Sequence, residues 1–206
     1  MKKVVLTLVV AASLLLMFAH VLQGQQAEAP VYKGGDWWRV KVALLWVKAP
    51  PQARVSEPCF TAYSEYLVKM DARELKVFGA KTLLEGEQLE EINCPAIISN
   101  VLAKSKEDLK FPLSVDLQFP MRVGFTWPSP IAPVTYKVQS WEKIKTPKGE
   151  FGAFRILRTD SPGWKLGRPA TYYYSPEVKA IVYSREQAEE SGYLLIYSLI
   201  DFHLNK

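Results

Sequence analysis

Histidine, the side chain most often used for acid–base and metal chemistry, is scarce in this chain of 206 residues. The chain has two histidines: His20 lies in the N-terminal apolar segment and His203 lies near the end of the sequence. A single histidine in the rest of the chain predicts neither a Ser-His-Asp triad nor a multi-histidine metal site. The sequence lacks the GxSxG, HExxH, Walker A and GxGxxG motifs. We therefore predict no catalytic residue, no metal site, no cofactor and no enzymatic activity.

Carboxylates leave one enzymatic alternative open. The sequence holds two acidic groups: Glu85, Glu87, Glu90 and Glu91, and Glu186, Glu189 and Glu190. A glycosidase needs two converging carboxylates about 5–9.5 Å apart, which a sequence can neither establish nor exclude. Nothing in the spacing selects a pair, and solvated surface charge is the simpler interpretation. A carbohydrate-active enzyme with a carboxylate pair remains an alternative function.

Aromatic residues give the sharper hypothesis for a binding site. The chain has six tryptophans, and these and the tyrosine cluster around Tyr173 could line an apolar or sugar-stacking groove. They could equally form the core of a twisted sheet. Trp37 falls on the polar-patterned side of a predicted strand, and Trp164 falls in a loop rich in Gly and Pro. The candidate ligand-binding residues are Trp37, Trp164, Tyr172 and Tyr174.

The N-terminal segment predicts export. Lys2 and Lys3 precede an apolar run of 19 residues, Val4 to Leu22, and the chain then becomes polar. This order is typical of a secretory signal peptide. A run of this length can also nearly span a bilayer, so an uncleaved anchor is the alternative for residues 1–24. Both interpretations place the folded part in the periplasm or outside the cell, and an anchor would keep it near the membrane.

The two cysteines agree with export. An even number of cysteines in an exported chain favours a disulfide, here between Cys59 and Cys94. Their wide spacing is unlike a CxxC redox or zinc motif. The formal net charge of +5 includes the two N-terminal lysines, and the other basic residues are dispersed. This distribution does not predict a nucleic-acid partner.

Strand-like patterns dominate the rest of the chain. Three segments alternate apolar and polar residues in succession: 134–147, 149–160 and 171–186, the last with a bend at Ser175-Pro176-Glu177. In a regular strand Phe151 and Phe154 would face opposite ways, unless a bulge near Gly152 reconciles them. Further strands are predicted at 37–47, 60–70, 74–80 and 193–204.

Two regions between these strands are less regular. Residues 81–91 fit either a helical stripe or strand and loop, and Gly86 favours the second. Residues 99–109 form a candidate short helix. The resulting prediction is a mainly β fold: an antiparallel curved sheet, as a half-barrel or a sandwich, with at most one or two short helices. We assign residues 25–34 to a flexible lead-in and residues 35–206 to a single β-rich domain.

A resemblance to a known family covers a little over a third of the chain. Gly149 to Phe151 match a GxF hairpin and Tyr172 to Val178 match a YxYxPxV strand, and with these motifs the sequence resembles a family of exported bacterial β-rich domains of unknown function. The matching residues are Gly35 to Trp38, Val123, Gly124, Trp127, Pro147 to Ile156, and Tyr172 to Val182. Lys148 and Lys179-Ala180 depart from the family pattern. The resemblance implies a curved sheet similar in outline to half-barrels that carry lipids or lipoproteins in the cell envelope, by analogy of fold alone.

These observations together predict a non-enzymatic exported envelope protein. We expect it to bind a lipid-like hydrophobic ligand or an envelope protein on a curved β-sheet. A structural component of an envelope assembly is a further alternative. The sequence does not separate these alternatives, and it does not name the ligand or partner.

Overall fold

The computed structural model describes residues 25–46, 63–71, 74–83, 86–94, 117–129, 133–160, 170–188 and 193–206. Within these ranges it contains strands and no helix. The strands are β1 Gln26–Ala27, β2 Trp37–Trp46, β3 Glu65–Asp71, β4 Glu74–Leu83, β5 Gly86–Ile92, β6 Met121–Arg122, β7 Thr126–Pro128, β8 Val134–Thr146, β9 Gly149–Asp160, β10 Ala170–Ser175, β11 Ala180–Ala188 and β12 Tyr193–His203.

Ten of these strands form one antiparallel sheet, in the order β5-β4-β3-β2-β12-β11-β10-β9-β8-β7. The sheet does not close into a barrel, so β5 and β7 are its two edges among the described strands. β1 and β6 form a separate pair of two residues each. The predicted mainly β, antiparallel fold is confirmed. No described segment forms a helix long and apolar enough to cross a membrane.

Alternation decides which side of each strand is buried. In β2, Trp38, Val40 and Val42 are buried, whereas Arg39 and Lys41 point to the other side. This is the division that the sequence predicts. The same side is continued by buried residues of β3 and β12, which the register places opposite the β2 residues. We call this side the inner face.

The buried residues form two clusters. The first joins the inner face of β2, β3 and β12 to the start of β11. The second lies on β8, β9 and β10. The tip of the β8–β9 hairpin contributes to both, because Phe151 and Ala153 belong to the first cluster and Phe154 and Ile156 to the second. No bulge interrupts the β8–β9 register near Gly152, so Phe151 and Phe154 do face opposite ways.

The hairpin tip reaches the end of β12. The Phe151 and Phe202 rings meet edge to face with centroids 5.8 Å apart. Lys148, in the hairpin turn, forms an ion pair with Asp201 at 2.5 Å. β11 pairs with β12 from Tyr183 opposite Ser198 to Ala188 opposite Tyr193, and β12 continues beyond Ser198 along β2. The tip therefore packs over the end of β12, and β9 has buried residues on both of its sides, Phe151 and Ala153 on one and Phe154 and Ile156 on the other.

The third predicted strand is a hairpin of two strands. β10 and β11 pair from Ala170 opposite Glu186 to Ser175 opposite Ala180, and the predicted bend is the turn between them. Lys179 in this turn adopts a φ of +58°, a conformation that residues with a side chain rarely occupy. Its ammonium donates to the carbonyl of Val31 at 2.7 Å, and this hydrogen bond joins the turn to the segment that precedes β2.

The segment predicted as a flexible lead-in makes ordered contacts. Ala27 is buried and pairs with Met121 of β6. Tyr32 packs edge to face on Trp38, and its hydroxyl donates to the carbonyl of Lys179 at 3.1 Å. Ala27 thus belongs to the second core cluster, and Tyr32 packs against the first.

Several sequence predictions fall outside the described residues. These are the signal peptide or anchor at 1–24, the candidate helix at 99–109, Cys59 and Trp164. Cys94 is buried and disulfide-bonded. Its pairing with Cys59 stays a prediction.

Candidate functional site

The structure does not bring the predicted ligand-binding residues together on one surface. Tyr172 and Tyr174 each have 1% of their surface exposed and belong to the second core cluster. Trp37 points to the outer face, where its ring stacks on His203 with centroids 6.3 Å apart. Trp164 lies outside the described residues. The two tyrosines pack as core residues, and Trp37 is separated from them by the thickness of the sheet.

An aromatic layer fills the inner face around these tyrosines. The Trp127 ring stacks between Phe125 and Tyr136, at centroid distances of 5.3 and 5.4 Å. Phe119 meets Tyr174 edge to face at 5.4 Å. Phe119 and Phe125 come from the segment 117–127, which lies over β8, β9 and β10. The layer is thus covered by the chain itself in the part that the structure describes.

A buried polar group lies within this layer. Arg158 of β9 donates to Glu186 of β11 at 3.1 Å and to the Tyr172 hydroxyl at 3.0 Å. The side chains of Arg158 and Glu186 are only 5% and 7% exposed. Ala170 stands between them in the register of the three strands, and its small side chain lets the guanidinium and the carboxylate meet. Both partners of this pair are buried with their charges matched.

Burial and charge set the protonation of this group. Burial alone lowers the pKa of Arg158, but the oxygens of Tyr172 and Glu186 outweigh it and hold the pKa above its ordinary value. Burial raises the pKa of the Tyr172 hydroxyl well above its ordinary value. Arg158 therefore stays charged and Tyr172 neutral at physiological pH. An ion pair enclosed in this way positions strands, and it offers no group open to a substrate.

The other acidic group of the sequence lies on a different part of the molecule, the edge strand β5. Residues from Gly86 to Glu91 are exposed and Ile92 is half-buried. The strand pairs with β4 from Gly86 opposite Leu83 to Ile92 opposite Val77, without a bulge. It contains neither proline nor lysine. Proline and lysine are two of the devices with which proteins protect a sheet edge, and no other described strand pairs with the outer edge of β5.

Every second residue of β5 directs its peptide groups away from β4. In an antiparallel ladder, hydrogen-bonded and non-hydrogen-bonded pairs alternate. Leu83 and Gly86 close a connection of two residues, which makes them a hydrogen-bonded pair. Counting from this pair, Glu87, Leu89 and Glu91 turn their N–H and C=O groups outward. The edge thus offers a row of backbone donors and acceptors to a further strand.

The carboxylates of β5 pair with cations on other strands of the sheet. Arg39 of β2 donates to Glu87 at 3.1 Å and also pairs with Glu65 at 2.7 Å. On the inner face, Lys81 of β4 pairs with Glu90 at 2.8 Å. Hydrogen bonds from Lys81 and then from Tyr63 lower the pKa of Glu90 below its ordinary value. All these cations lie on the β4 side of the strand, away from its open edge.

A glycine makes room for the tyrosine at this edge. Tyr63 lies across the inner face of β4, where a Cβ atom on Gly79 would come within 2.5 Å of its ring. Only glycine allows this approach. The Tyr63 hydroxyl donates to Glu90 at 2.7 Å, which fixes that carboxylate against the sheet.

A cavity of about 480 Å³ opens beside the end of β5. Its apolar lining comes from Leu75, Val77, Ile92 and Cys94, which pack in or against the first core cluster. Its polar lining is Lys76, Glu91 and Asn93. The ammonium of Lys76 and the carboxylate of Glu91 are 3.9 Å apart. The cavity therefore combines an apolar floor with a charged rim, at the same edge as the outward peptide groups.

Sequence reasoning identified the acidic residues of β5 but not this site. The strand has only two apolar residues, Leu89 and Ile92, at a spacing that is not typical of a strand. The absence of proline and lysine from the segment was the available signal. The cavity could not be predicted, because the pattern of residues 81–91 left helix and strand both open and so did not place Leu75 and Val77 beside Ile92.

The described residues contain no group of three or more His, Cys, Asp or Glu side chains that could hold a metal ion. Of the acidic residues in the sequence's second group, Glu186 is the member whose side chain the structure describes, and it is paired with Arg158. Neither the sequence nor the described geometry therefore selects two facing carboxylates for the enzymatic alternative.

Comparison with known proteins found no matching family model and no matching curated protein. Two solved structures show a distant likeness. One is a protein described as exported, with a YmcC-like fold, from Bacteroides fragilis: identity is 9%, coverage is 86% of this chain and 99% of that one, and the TM-score is 0.35. The other is described as a lipoprotein from Parabacteroides distasonis: identity is 10%, coverage is 87% and 100%, and the TM-score is 0.31. Likenesses at these TM-scores carry no conclusion about this chain.

Proposed function

We propose that this protein is a non-enzymatic exported protein of the cell envelope that binds a protein partner through strand β5. The observation that carries the proposal is the outer edge of β5, with which no other described strand pairs: it has seven residues and lacks proline, lysine and bulges. An extended segment of a partner that pairs with such an edge gains main-chain hydrogen bonds from every outward residue. The N-terminal sequence, with two lysines before an apolar run, supports the export part of the proposal.

Ligand binding in the concavity of the sheet has less support than edge binding. The face that would hold a hydrophobic ligand carries Trp127, Tyr172 and Tyr174, and each of these is at most 2% exposed. The segment 117–127 occupies the space above them. A ligand would have to displace this segment, whereas a strand can add to β5 without moving any described residue.

Site-specific photocrosslinking tests the proposal. A photoreactive residue replaces Leu89, which is exposed at the middle of β5, and the variant is expressed in its own host. The matched control carries the same residue at Val123, which is exposed beside β7 to a similar degree. We expect a discrete protein adduct from position 89 and none from position 123.

The backbone must also be shown to take part. Leu89→Pro removes one outward N–H without breaking a hydrogen bond to β4, so it should abolish an adduct formed from a photoreactive residue at position 87. An adduct that survives Leu89→Pro, or that forms equally at position 123, contradicts strand addition. Native mass spectrometry of the protein from the host envelope covers the ligand alternative: an extra mass lost on organic extraction would favour a lipid-like ligand.

A further inference from the structure

Resting on the proposed function, we infer the chemistry of the partner: an extended basic segment that places a bulky apolar side chain in the cavity beside Ile92. Two independent features of the edge carry this inference. One is the distribution of charge along β5, and the other is the position and lining of the cavity.

The charge on the open side of β5 is negative. The strand carries three carboxylates, Glu87, Glu90 and Glu91, and no basic residue. The cations that pair with them, Arg39, Lys76 and Lys81, belong to β2 and β4. Glu91 keeps 59% of its side chain exposed, with Lys76 at 3.9 Å. A partner strand that pairs with β5 lies on the side opposite to these cations. Lys or Arg at alternate positions of the partner strand, next to the carboxylates, is therefore favoured.

The same charges select against a second copy of this chain. Antiparallel self-pairing along the whole strand centres on Leu89 and sets Glu87 of each copy opposite Glu91 of the other. Like charges directly opposite each other destabilise a pair of strands. The repulsion occurs twice, because the arrangement is symmetric. A copy of this chain is therefore a poor partner, and a basic strand is a good one.

The cavity supplies a place for an anchoring side chain. It lies at the Ile92 end of the edge, where Glu91 and Asn93 form part of its wall. A strand added to β5 passes this wall, and a side chain that projects from it can reach the apolar floor of Leu75 and Val77. The volume of about 480 Å³ leaves room for a large aromatic side chain. Pockets beside an added strand commonly give such interactions their specificity.

Three synthetic peptides of seven residues test the inference. The first peptide has Trp at the end that antiparallel pairing places beside Ile92. Lys and Thr alternate along the rest of this peptide. The second replaces Trp with Ala, and the third replaces every Lys with Glu. Binding is followed by the backbone amide signals of β5 and the methyl signals of Leu75, Val77 and Ile92. We expect the first peptide to bind at least about tenfold more tightly than either of the others.

Two variants sharpen the test. Asn93 is exposed at the cavity wall, so Asn93→Trp should block the cavity without disturbing the core. This variant should weaken binding of the Trp peptide to the level measured for the Ala peptide. Val123→Trp, at a similarly exposed position beside β7, should leave binding unchanged.

Each outcome is decisive. Equal binding of the Trp and Ala peptides overturns the anchoring side chain, and equal binding of the Lys and Glu peptides overturns the basic partner. If no peptide binds while the photoreactive residue at position 89 still gives its adduct, the partner chemistry is wrong and edge binding stands. If the adduct is also missing, the proposed function itself fails.

Discussion

The two edges of the sheet differ in almost every property that governs strand addition. β7 has three residues and ends at Pro128, which has no backbone N–H to offer. Its central residue, Trp127, is 2% exposed and stacked between two other rings. β5 has seven residues, six of them exposed, and no proline. β7 is short and its Trp127 side chain is packed between other rings, whereas β5 is long and no other described strand pairs with its outer edge.

The difference shows that the open edge is not a general property of this fold. An unpaired edge risks association with other chains, and proteins usually shorten, charge or cover it. The β7 edge follows this rule. Among the described residues, the protection at β5 is the set of carboxylates, which opposes self-pairing but not pairing with a basic strand. We therefore interpret β5 as an edge that is kept open for a partner.

The largest expected effect comes from removing the side chain that seals β7. Trp127→Ala should lower the free energy of unfolding by about 4 kcal/mol, because it leaves a cavity within a packed aromatic layer. Leu89→Ala, the matching change at the centre of β5, should stay within about 0.5 kcal/mol of the natural protein. Urea denaturation of both variants measures the contrast. Similar losses for the two would mean that β5 is covered in solution.

The next largest effect concerns the buried ion pair of Arg158 and Glu186. Glu186→Gln should lower the free energy of unfolding by about 3 kcal/mol, because the charge of Arg158 then stays buried without its counter-charge. The double change Arg158→Met with Glu186→Leu should lose much less, since both charges are removed. A single variant as stable as the natural protein in thermal unfolding would show that the pair is not enclosed.

Proline substitutions compare the two sides of β5 itself. Gln88→Pro removes an N–H that bonds to β4 and should cost about 1–3 kcal/mol. Leu89→Pro removes an outward N–H and should cost less than about 1 kcal/mol. The alanine variants at both positions correct for the lost side chains. If Leu89→Pro proves the more damaging change, the assignment of outward residues is reversed.

The smallest effect concerns the carboxylate of Glu90. Its pKa is lowered in the folded protein, so its contact with Lys81 and Tyr63 stabilises the fold above the ordinary carboxyl pKa of 4.5. This contribution is lost as the pH falls through the folded pKa. Thermal unfolding of Glu90→Gln should therefore show a small deficit near pH 7 that diminishes as the pH falls below 4.5. A deficit that is independent of pH would argue against the ionic contact.

Much of the fold could be predicted, because long strands repeat their pattern often enough to be unambiguous. β8 and β9 were predicted to within a residue at each end, and the two sides of β2 were assigned correctly. The third segment misled the prediction, since its bend at Pro176 is a hairpin turn that separates two short strands. Local sequence does not reveal whether a bend reverses the chain.

The site was harder to predict than the fold. Tyr172 and Tyr174 stand out in the sequence because of their ring size, yet ring size serves core packing and binding equally well. The location of β5 at the edge depends on strand order, which pairs β2 with β12 from the far end of the chain. The sequence identified the acidic residues of β5, but it did not show which side of the strand lacks a neighbouring strand. Contacts between distant segments decide both points.

Amide hydrogen exchange along β5 tests the central claim most directly. In the isolated protein, the amides of Gln88 and Glu90 should exchange slowly, and those of Glu87, Leu89 and Glu91 should exchange at nearly the rate of an unfolded chain. Adding the lysine peptide that ends in Trp, or the partner identified by crosslinking, should slow the three outward amides by about tenfold or more. Outward amides that are already slow in the isolated protein, or that stay fast when the partner is bound, would contradict binding by strand addition.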